Sequence, residues 1–487
     1  MNRYVMNKYC LWVLCVLASH LATAQRNFTI QDVIRQALAK SPFAKLAETR
    51  KENRYWQYRS FKTNLNPQLR LSGGVPAYSQ SFIPVRQPDG SILFQSIDQM
   101  NSTANLGLEQ PLPWTGGQIS ANTNYNFFQD LQQNSSLWNA TLLNIQLNQP
   151  LFGFNPLKWQ REIEPIRYEE SKREFVEEIE AISQEATDRF FLVIDAQIRE
   201  QIASFNLANN DTIYKIEQGR YNIGTTSLDK LLQVELQLLR SRQNLAQARL
   251  DAQNAKLNLR IYLGLNDSEE FALLLPEEIP EFVIDPEAAM QYARQNRAQF
   301  LAFERRRKEA ERDLAETKGR RFSTALTASF GLNNSAPVIS DVYTDPLRQQ
   351  QVNLTFSVPV IDWGRNKAMM RTAIANKKLN DYIITQDEVN FEQEIMTQVR
   401  QFELLRLQID ITRKSDQVAQ ERYAVAQNRY LIGKIDITNL NIALTEKDDA
   451  KRSYLAALRA FWTSYYNLRR LTLYDFAENR LLYIPEG

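Results

Sequence analysis

Cysteine and histidine are all but missing from these 487 residues: Cys10, Cys15 and His20 are the whole supply, and all three stand in the first 24 positions. Past residue 24 neither type occurs, which excludes disulfides, zinc sites built on Cys or His, thiol nucleophiles and His-based triads there. A surplus of one charge is missing too. The 58 Lys and Arg include Arg3 and Lys8, which leaves 56 against 56 Asp and Glu past residue 24, so no basic excess points to nucleic acid. No later stretch reaches the roughly 20 apolar residues that a transmembrane helix needs. Carboxylates are plentiful, but they are spread along helix-like segments, and nothing marks the pair held across a cleft that a glycoside hydrolase requires. No catalytic residue, metal ligand or cofactor is expected.

The N-terminus carries an export pattern. Arg3 and Lys8 precede an apolar run from Leu11 to Leu17, and Ala22-Thr23-Ala24 supplies the small residues of a cleavage site,. Residues 1–24 are read as a signal peptide cleaved before Gln25. Cys15 does not suit lipidation, because Val13-Leu14 stand before it where a small residue is needed,.

What is present is a duplication. EQGRYNIGTTSLDKLLQVELQ around Arg220 returns as AQNRYLIGKIDITNLNIALTE around Arg429, so Arg-Tyr-x-Ile-Gly recurs 209 residues later and the register holds through Leu231/Leu440, Asn258/Asn467 and Arg260/Arg469. The organisation expected is a first structural repeat over 25–285 and a second over 286–487.

Each copy has a long segment rich in Glu, Gln, Arg, Ala and Leu, with apolar residues three and four apart, over 166–218 and 365–432,. At about 1.5 Å per residue, helices of this size reach roughly 80 to 100 Å. Both run into the Arg-Tyr-x-x-Gly turn, and a shorter helix then returns, over 227–263 and 436–471. The first return helix carries Leu231, Leu232, Leu238, Leu239 and Leu245 as one apolar stripe. Each copy thus reads as an antiparallel coiled-coil hairpin, at 163–263 and 365–471, the first followed by a connecting segment at 264–285 and the second by a C-terminal one. Two further helices, 29–61 with Thr29 as N-cap and 286–319 with Pro286 in its first turn, are expected to lie on the shorter arms.

Between these helices the period changes to two. Phe322, Thr324, Leu326, Ala328, Phe330 and Leu332 alternate with small residues, as do Val352, Leu354 and Phe356 with Asn353, Thr355 and Ser357. The first half has more of the same, at Leu69 and Leu71, Leu106 and Leu108, Ile119 to Phe127, and Thr141 to Leu147. Alternating strands over 65–151 and 321–361, with polar side chains opposite apolar ones, fit a membrane barrel with a wet interior. Residues 76–101 and 333–349 read as exposed loops. Trp114, Phe128, Trp138, Phe152, Phe154, Trp159 and Trp363 near strand ends suit either an interfacial girdle or ordinary packing.

Strands, a very long helix, an R-Y-x-x-G turn and a return helix, all occurring twice behind a signal sequence, resemble the TolC family of outer membrane efflux proteins. The strand-to-helix junctions Gln149-Pro150-Leu151-Phe152 and Val358-Pro359-Val360-Ile361-Asp362-Trp363-Gly364-Arg365 carry the resemblance along with the two turns, and it covers 28–473. It implies an α+β membrane protein: a homotrimer whose copies close one transmembrane β-barrel in the outer membrane, continuous with an α-helical barrel in the periplasm. It also implies passive, gated exit of solutes in a tripartite efflux or type I secretion system, with a periplasmic adaptor and an inner-membrane pump as partners. The adaptor is implied at the hairpin tips, Arg220, Tyr221, Gly224 and Thr225 with Arg429, Tyr430, Gly433 and Lys434. The pore constriction falls on Asp229, Asp436, Asn439 and Asn441, and hydrogen bonds of Arg429 and Tyr430 between hairpins are implied to hold the closed state. Asp436 reads equally well as a helix-start residue beside the dipole.

One departure stands out. Gln110-Pro111-Leu112-Pro113-Trp114-Thr115-Gly116-Gly117 looks like a first junction, yet another strand pair follows before Pro150. The pair either enlarges the barrel or folds outside it, and its clean alternation favours the first. A periplasmic adaptor or coiled-coil scaffold without a pore is the competing reading; it leaves the second hairpin and the amphipathic strands unexplained.

Overall fold

The computed structural model describes residues 26–265, 271–276 and 278–484. The expected signal peptide, with Cys10, Cys15 and His20, lies outside the described residues, as does part of the 264–285 connection. No helix among the described residues is long and apolar enough to cross a membrane. The chain divides into two compact units.

The first unit gathers the described residues up to 51, those between 173 and 297, and those from 390 on. Strand β1 (Arg26–Phe28) pairs in parallel with β6 (Phe271–Leu273). Helix α1 (Ile30–Lys40) opens on a capping box, in which the Thr29 hydroxyl accepts from the Asp32 N–H and the Asp32 carboxylate accepts from that of Thr29,. The expected single helix over 29–61 is broken at Ser41, because Pro42 disfavours the helical conformation in the residue before it, and α2 (Pro42–Asn64) follows. The expected helix over 286–319 is likewise broken at Arg297, extended at ψ 141° though no proline follows it, between α5 (Pro286–Asn296) and α6 (Ala298–Gly319).

The long helices are α3 (Pro156–Asn222) and α7 (Arg365–Leu431), 67 residues each. Helix α3 starts ten residues before the expected Ile166 and carries Pro165 in its interior. The returns are α4 (Leu228–Leu263) and α8 (Ile437–Thr472), 36 residues each, capped by Ser227 and Asp436 at positions equivalent in the two copies. The core of this unit is dense with fully buried Phe190, Phe191, Phe402, Phe461, Leu259 and Leu263. The expected stripe on α4 divides in two. Val234, Leu238 and Leu245 are buried, while Leu232, Leu236 and Leu239 stand about half exposed on another face. Beyond α8, β9 (Tyr474–Asp475) and β10 (Arg480–Leu481) form a small antiparallel pair. Arg469 ties it down: its guanidinium donates to both oxygens of buried Glu180, at 2.8 and 2.9 Å, and to Asp475 at 2.9 Å, so these three charges partner one another.

The second unit, residues 52–172 and 298–389, holds the main sheet. Its helical part is fixed by Tyr58 stacked on Tyr168 at 4.5 Å and by the Arg305 fork on Glu170 at 2.5 and 3.0 Å. Six antiparallel strands lie in the order β2 (Gln68–Arg86), β3 (Ile92–Leu112), β4 (Gly117–Asp130), β5 (Ser135–Pro150), β7 (Ser323–Ala336) and β8 (Leu347–Ser357). The segment 76–101 is therefore no loop: β2 and β3 continue as a two-stranded ribbon that turns only at 87–91. Seven residues of β3, Ile92 to Asp98, pair with β2 but with no strand of the other side. A ribbon that projects past its neighbours has no single greasy face, so the period-two signal fades there. The loop at 333–349 also shrinks, since β7 runs to Ala336 and a 3₁₀ turn (Ile339–Tyr343) precedes β8.

The sheet has two chemically distinct faces. One row of paired residues runs Gln68, Glu109, Ser120, Gln146, Ser329, Gln351, polar across all six strands; the adjacent row runs Leu69, Leu108, Ala121, Ile145, Phe330, Gln350, apolar across five. Strands that alternate in this way place water on one side and hydrocarbon on the other.

Candidate functional site: the paired hairpin ends

The ends of the two long helices are built alike. At the first, the Gly224 N–H donates to the Tyr221 carbonyl at 2.9 Å and the Thr225 N–H to the Arg220 carbonyl at 2.9 Å; at the second, Gly433 donates to Tyr430 at 2.9 Å and Lys434 to Arg429 at 2.8 Å. These paired bonds satisfy the last carbonyls of a helix, and they need a left-handed residue in the middle. Gly224 and Gly433 supply it at φ +76° and +74°.

The side chains of the repeated Arg-Tyr pair then part company. Tyr221 is 40% exposed, whereas Tyr430 is 3% exposed in a cluster with Ile213, Val234, Tyr423, Ile437 and Leu440. The Tyr430 hydroxyl donates to Glu217 Oε1 at 2.7 Å, and Arg220 donates to the same oxygen at 2.7 Å. The Arg220 guanidinium also lies over the Tyr430 ring, 5.5 Å from its centre. One residue each from the Arg-Tyr pairs of α3 and α7 thus converges on one carboxylate. Burial pushes the Glu217 carboxyl up, but the bonds from Tyr430, Arg220 and Thr226 outweigh it and hold its pKa below the ordinary carboxylate value. Burial, with the bond to Glu217 adding to it, pushes the Tyr430 hydroxyl well above its usual range, so it remains a donor at physiological pH. The exchange is one of hydrogen-bond donors around a fixed anion, not of protons.

Arg429 is exposed and is not the cation that completes this network; Arg220 takes that place. Asp436 accepts from the Asn439 N–H at 2.9 Å as the N-cap of α8, which is the helix-start role,. Asp229 and Asn439 are exposed in the first turns of α4 and α8, and Asn441 is half-buried. Glu217 was not singled out from sequence, although its position three before Arg220 puts both on one helix face and its equivalent 209 residues on is Ala426,. Ile223 and Ile432, 74% and 65% exposed beside the tip glycines, were also missed.

A second set of polar contacts lies further along the same hairpins. Asn206 donates to Asp448 at 2.7 Å, Asn209 accepts from Gln427 at 3.2 Å, and Lys447 sits over both Phe205 and Tyr423.

A sheet with one lipid-compatible face and two long helical hairpins whose tips meet on one carboxylate are features of an outer membrane channel protein. The sequence model of the Outer membrane efflux protein family matches residues 33–265 and 289–472. The chain belongs to that family, and its place is the outer membrane, where the family's members serve as efflux channels and not as enzymes. Solved structures with the same fold include the Campylobacter jejuni CmeC outer membrane channel, at 14% identity and a TM-score of 0.64 over 91% of this chain and 85% of that one. The Vibrio cholerae outer membrane protein VceC matches at 14% identity and a TM-score of 0.61, covering 91% and 95%. The open state of the Neisseria gonorrhoeae MtrE outer membrane channel matches at 16% and 0.59, covering 91% and 88%. No curated protein matches at the sequence level.

Proposed function

We propose that this chain is the trimeric exit duct of a tripartite efflux or type I secretion system, closed at its periplasmic end by the Tyr430–Glu217–Arg220 contact. The two repeats, 25–285 and 286–487, each contribute strands to the outer membrane wall and one helical hairpin to the periplasmic duct. The observation that carries this reading is the convergence of the two hairpin tips on Glu217. A contact that joins two arms by hydrogen bonds, inside a small apolar cluster, is strong enough to hold and weak enough to be released by a partner.

Self-assembly is supported by faces left uncovered in the single chain. Helix α4 exposes Leu232, Leu236 and Leu239, and α7 exposes Leu404, Leu407, Ile411, Val418 and Val425, spaced by alternating threes, fours and sevens as in a coiled-coil seam. Neighbouring copies cover these stripes. Three large aromatics, Trp114, Phe152 and Trp363, are 76%, 83% and 96% exposed at the ends of β3, β5 and β8 nearest the helices, which suits the periplasmic girdle of a membrane wall.

The exposed tip residues Tyr221, Thr225, Arg429 and Lys434, with Ile223 and Ile432 beside them, form the face that meets a periplasmic adaptor. Arg220, Tyr430, Gly224 and Gly433 shape that face from within. Asp229, Asn439 and Asn441 form the constriction, and Asp436 holds the helix start behind them. A ring with asparagines beside a single aspartate discriminates weakly between ions.

Crosslinking and planar-bilayer recording on the detergent-purified protein test this directly. A trimer with low, flickering conductance is the expected result; a soluble monomer without membrane activity overturns the reading and returns the adaptor or scaffold to first place.

A further inference from the structure

The β4–β5 hairpin is the part of the sheet that a two-hairpin wall does not need. We infer that it lies in the membrane wall, so that three copies close an eighteen-stranded barrel instead of the twelve-stranded one that β2, β3, β7 and β8 alone would form. The inference rests on the trimeric outer membrane reading above.

Four observations carry it. First, β4 and β5 are hydrogen-bonded into the centre of the sheet, β4 to β3 over fourteen residue pairs from Leu112–Gly117 to Gln99–Asp130, and β5 to β7 from Pro150–Ala325 to Trp138–Ala336. Second, they obey the same two faces as the other strands, with Asn122 and Asn144 bonded to one another at 3.0 Å on the polar side and Ile119 beside Leu147 on the apolar side. A hairpin folded outside the wall has no reason to match the faces of its neighbours, since a slip of one residue would invert it.

Third, the periplasmic end of the hairpin is fastened to the start of α3. Asn155 donates to the Pro113 carbonyl at 2.9 Å while capping the Lys158 N–H, and Gln149 donates to the Thr115 carbonyl at 3.0 Å. Fourth, the strand ends step steadily around the sheet. The row that begins at Gln68 reaches β8 at Gln351, and β8 continues six residues further, to Ser357, at the end nearest the helices. Six residues are about 20 Å along a strand, and five inter-strand steps about 24 Å across, so the strands lean by about 40° from the axis of a closed wall. Outer membrane barrels lean by roughly 35 to 45°.

The occupant of both open edges is a second copy of this chain. Strands β2 and β8 are each paired on one side only, and open edges leave backbone groups unsatisfied in hydrocarbon. Six is an even number, so β8 of one copy runs antiparallel to β2 of the next. The faces match only if Leu69 and Leu71 fall on the same side as Leu354 and Phe356, which puts Arg70 across from Thr355 or from its same-face neighbour Ser357. At this lean, eighteen strands enclose a backbone diameter on the order of 35 Å, against roughly 23 Å for twelve. Its inner rows hold Ser120, Asn122, Asn144, Gln146 and Ser329, with Glu109 and Arg70 as charged members. The wall of eighteen therefore encloses a wide pore with a polar lining.

Paired cysteines test the wall, and no cysteine follows Cys15 to give a background. The full-length chain in outer membranes is treated with a short thiol crosslinker after Gln146→Cys is combined with Ser329→Cys, Glu109→Cys with Ser329→Cys, or Arg70→Cys with Thr355→Cys or Ser357→Cys. The wall of eighteen predicts an internal link for Gln146 with Ser329, none for Glu109 with Ser329, and covalent trimers from one of the Arg70 pairs. Trimers that link Glu109 to Ser329 instead place β4–β5 outside the wall and overturn the inference while leaving the channel reading intact. No membrane-embedded trimer in any variant overturns the channel reading itself.

Discussion

The two hairpin ends share a motif and a backbone, yet use opposite halves of it. At Arg220–Gly224 the arginine turns inward to Glu217 and the tyrosine stays out; at Arg429–Gly433 the tyrosine is buried and the arginine stays out. Duplication gave both ends the same turn, because that turn depends on backbone bonds and one glycine. Divergence then acted where side chains meet: Glu217 faces Ala426 as its equivalent, and Val234 faces Ala443. A lock between two arms needs only one donor of each kind and one acceptor, and a symmetric pair of Arg-Tyr motifs would leave a surplus charge in the cluster.

The largest expected break in this asymmetry comes from Tyr430→Ala against Tyr221→Ala. Removing a buried aromatic costs about 3–5 kcal/mol, whereas an exposed side chain away from such contacts changes stability by about 0.5 kcal/mol or less. Hydrogen exchange at the ends of α3 and α7 reads the difference: faster exchange of 213–222 and 423–431 in the first variant, little change in the second. Next is Glu217→Ala, which leaves the Tyr430 hydroxyl and Arg220 without their shared acceptor and costs about 1–3 kcal/mol. Tyr430→Phe, which keeps the ring and the Glu217–Arg220 pair, is milder by the same measurement.

Acid sharpens the comparison without mutation. Glu217 has its pKa lowered by folding from an ordinary value of 4.5, so its contribution is complete above that value and is lost as pH falls through the lowered one. Exchange at the tips, followed downward from pH 5, should accelerate in the wild type more than in Glu217→Gln. Smallest and most even are Gly224→Ala and Gly433→Ala. Each forces a left-handed residue at a cost of about 1–2 kcal/mol, and since no heavy atom lies within 4 Å of the added Cβ at either position, the two should differ little. A large difference between them would show that one tip carries strain the other lacks.

The sequence revealed what repeats and what alternates. The long helices, both turns, the starts of the return helices at 227 and 436, and six strands with a greasy face were legible because each follows a period or a local rule. The breaks at Ser41 and Arg297 were hidden inside continuing helical patterns, even though Pro42 marked one of them. The ribbon at 76–101 was hidden because a strand pair wet on both sides does not alternate. At the tips, the sequence picked out Tyr430 and Arg429 for bonds between hairpins but not the groups they would meet. The groups that meet Tyr430 in the structure, Glu217 and Arg220, stand 213 and 210 positions away on the other hairpin, and only the three-dimensional meeting of the two copies joins them.

Single-channel recording of the trimer tests the central claim most directly, with wild type, Tyr221→Ala and Tyr430→Ala compared in one bilayer system. The account predicts low conductance in the first two and a sustained rise in the third. Equal conductance in all three, or a rise with Tyr221→Ala alone, would contradict a duct held shut by the second copy's tyrosine on the first copy's glutamate.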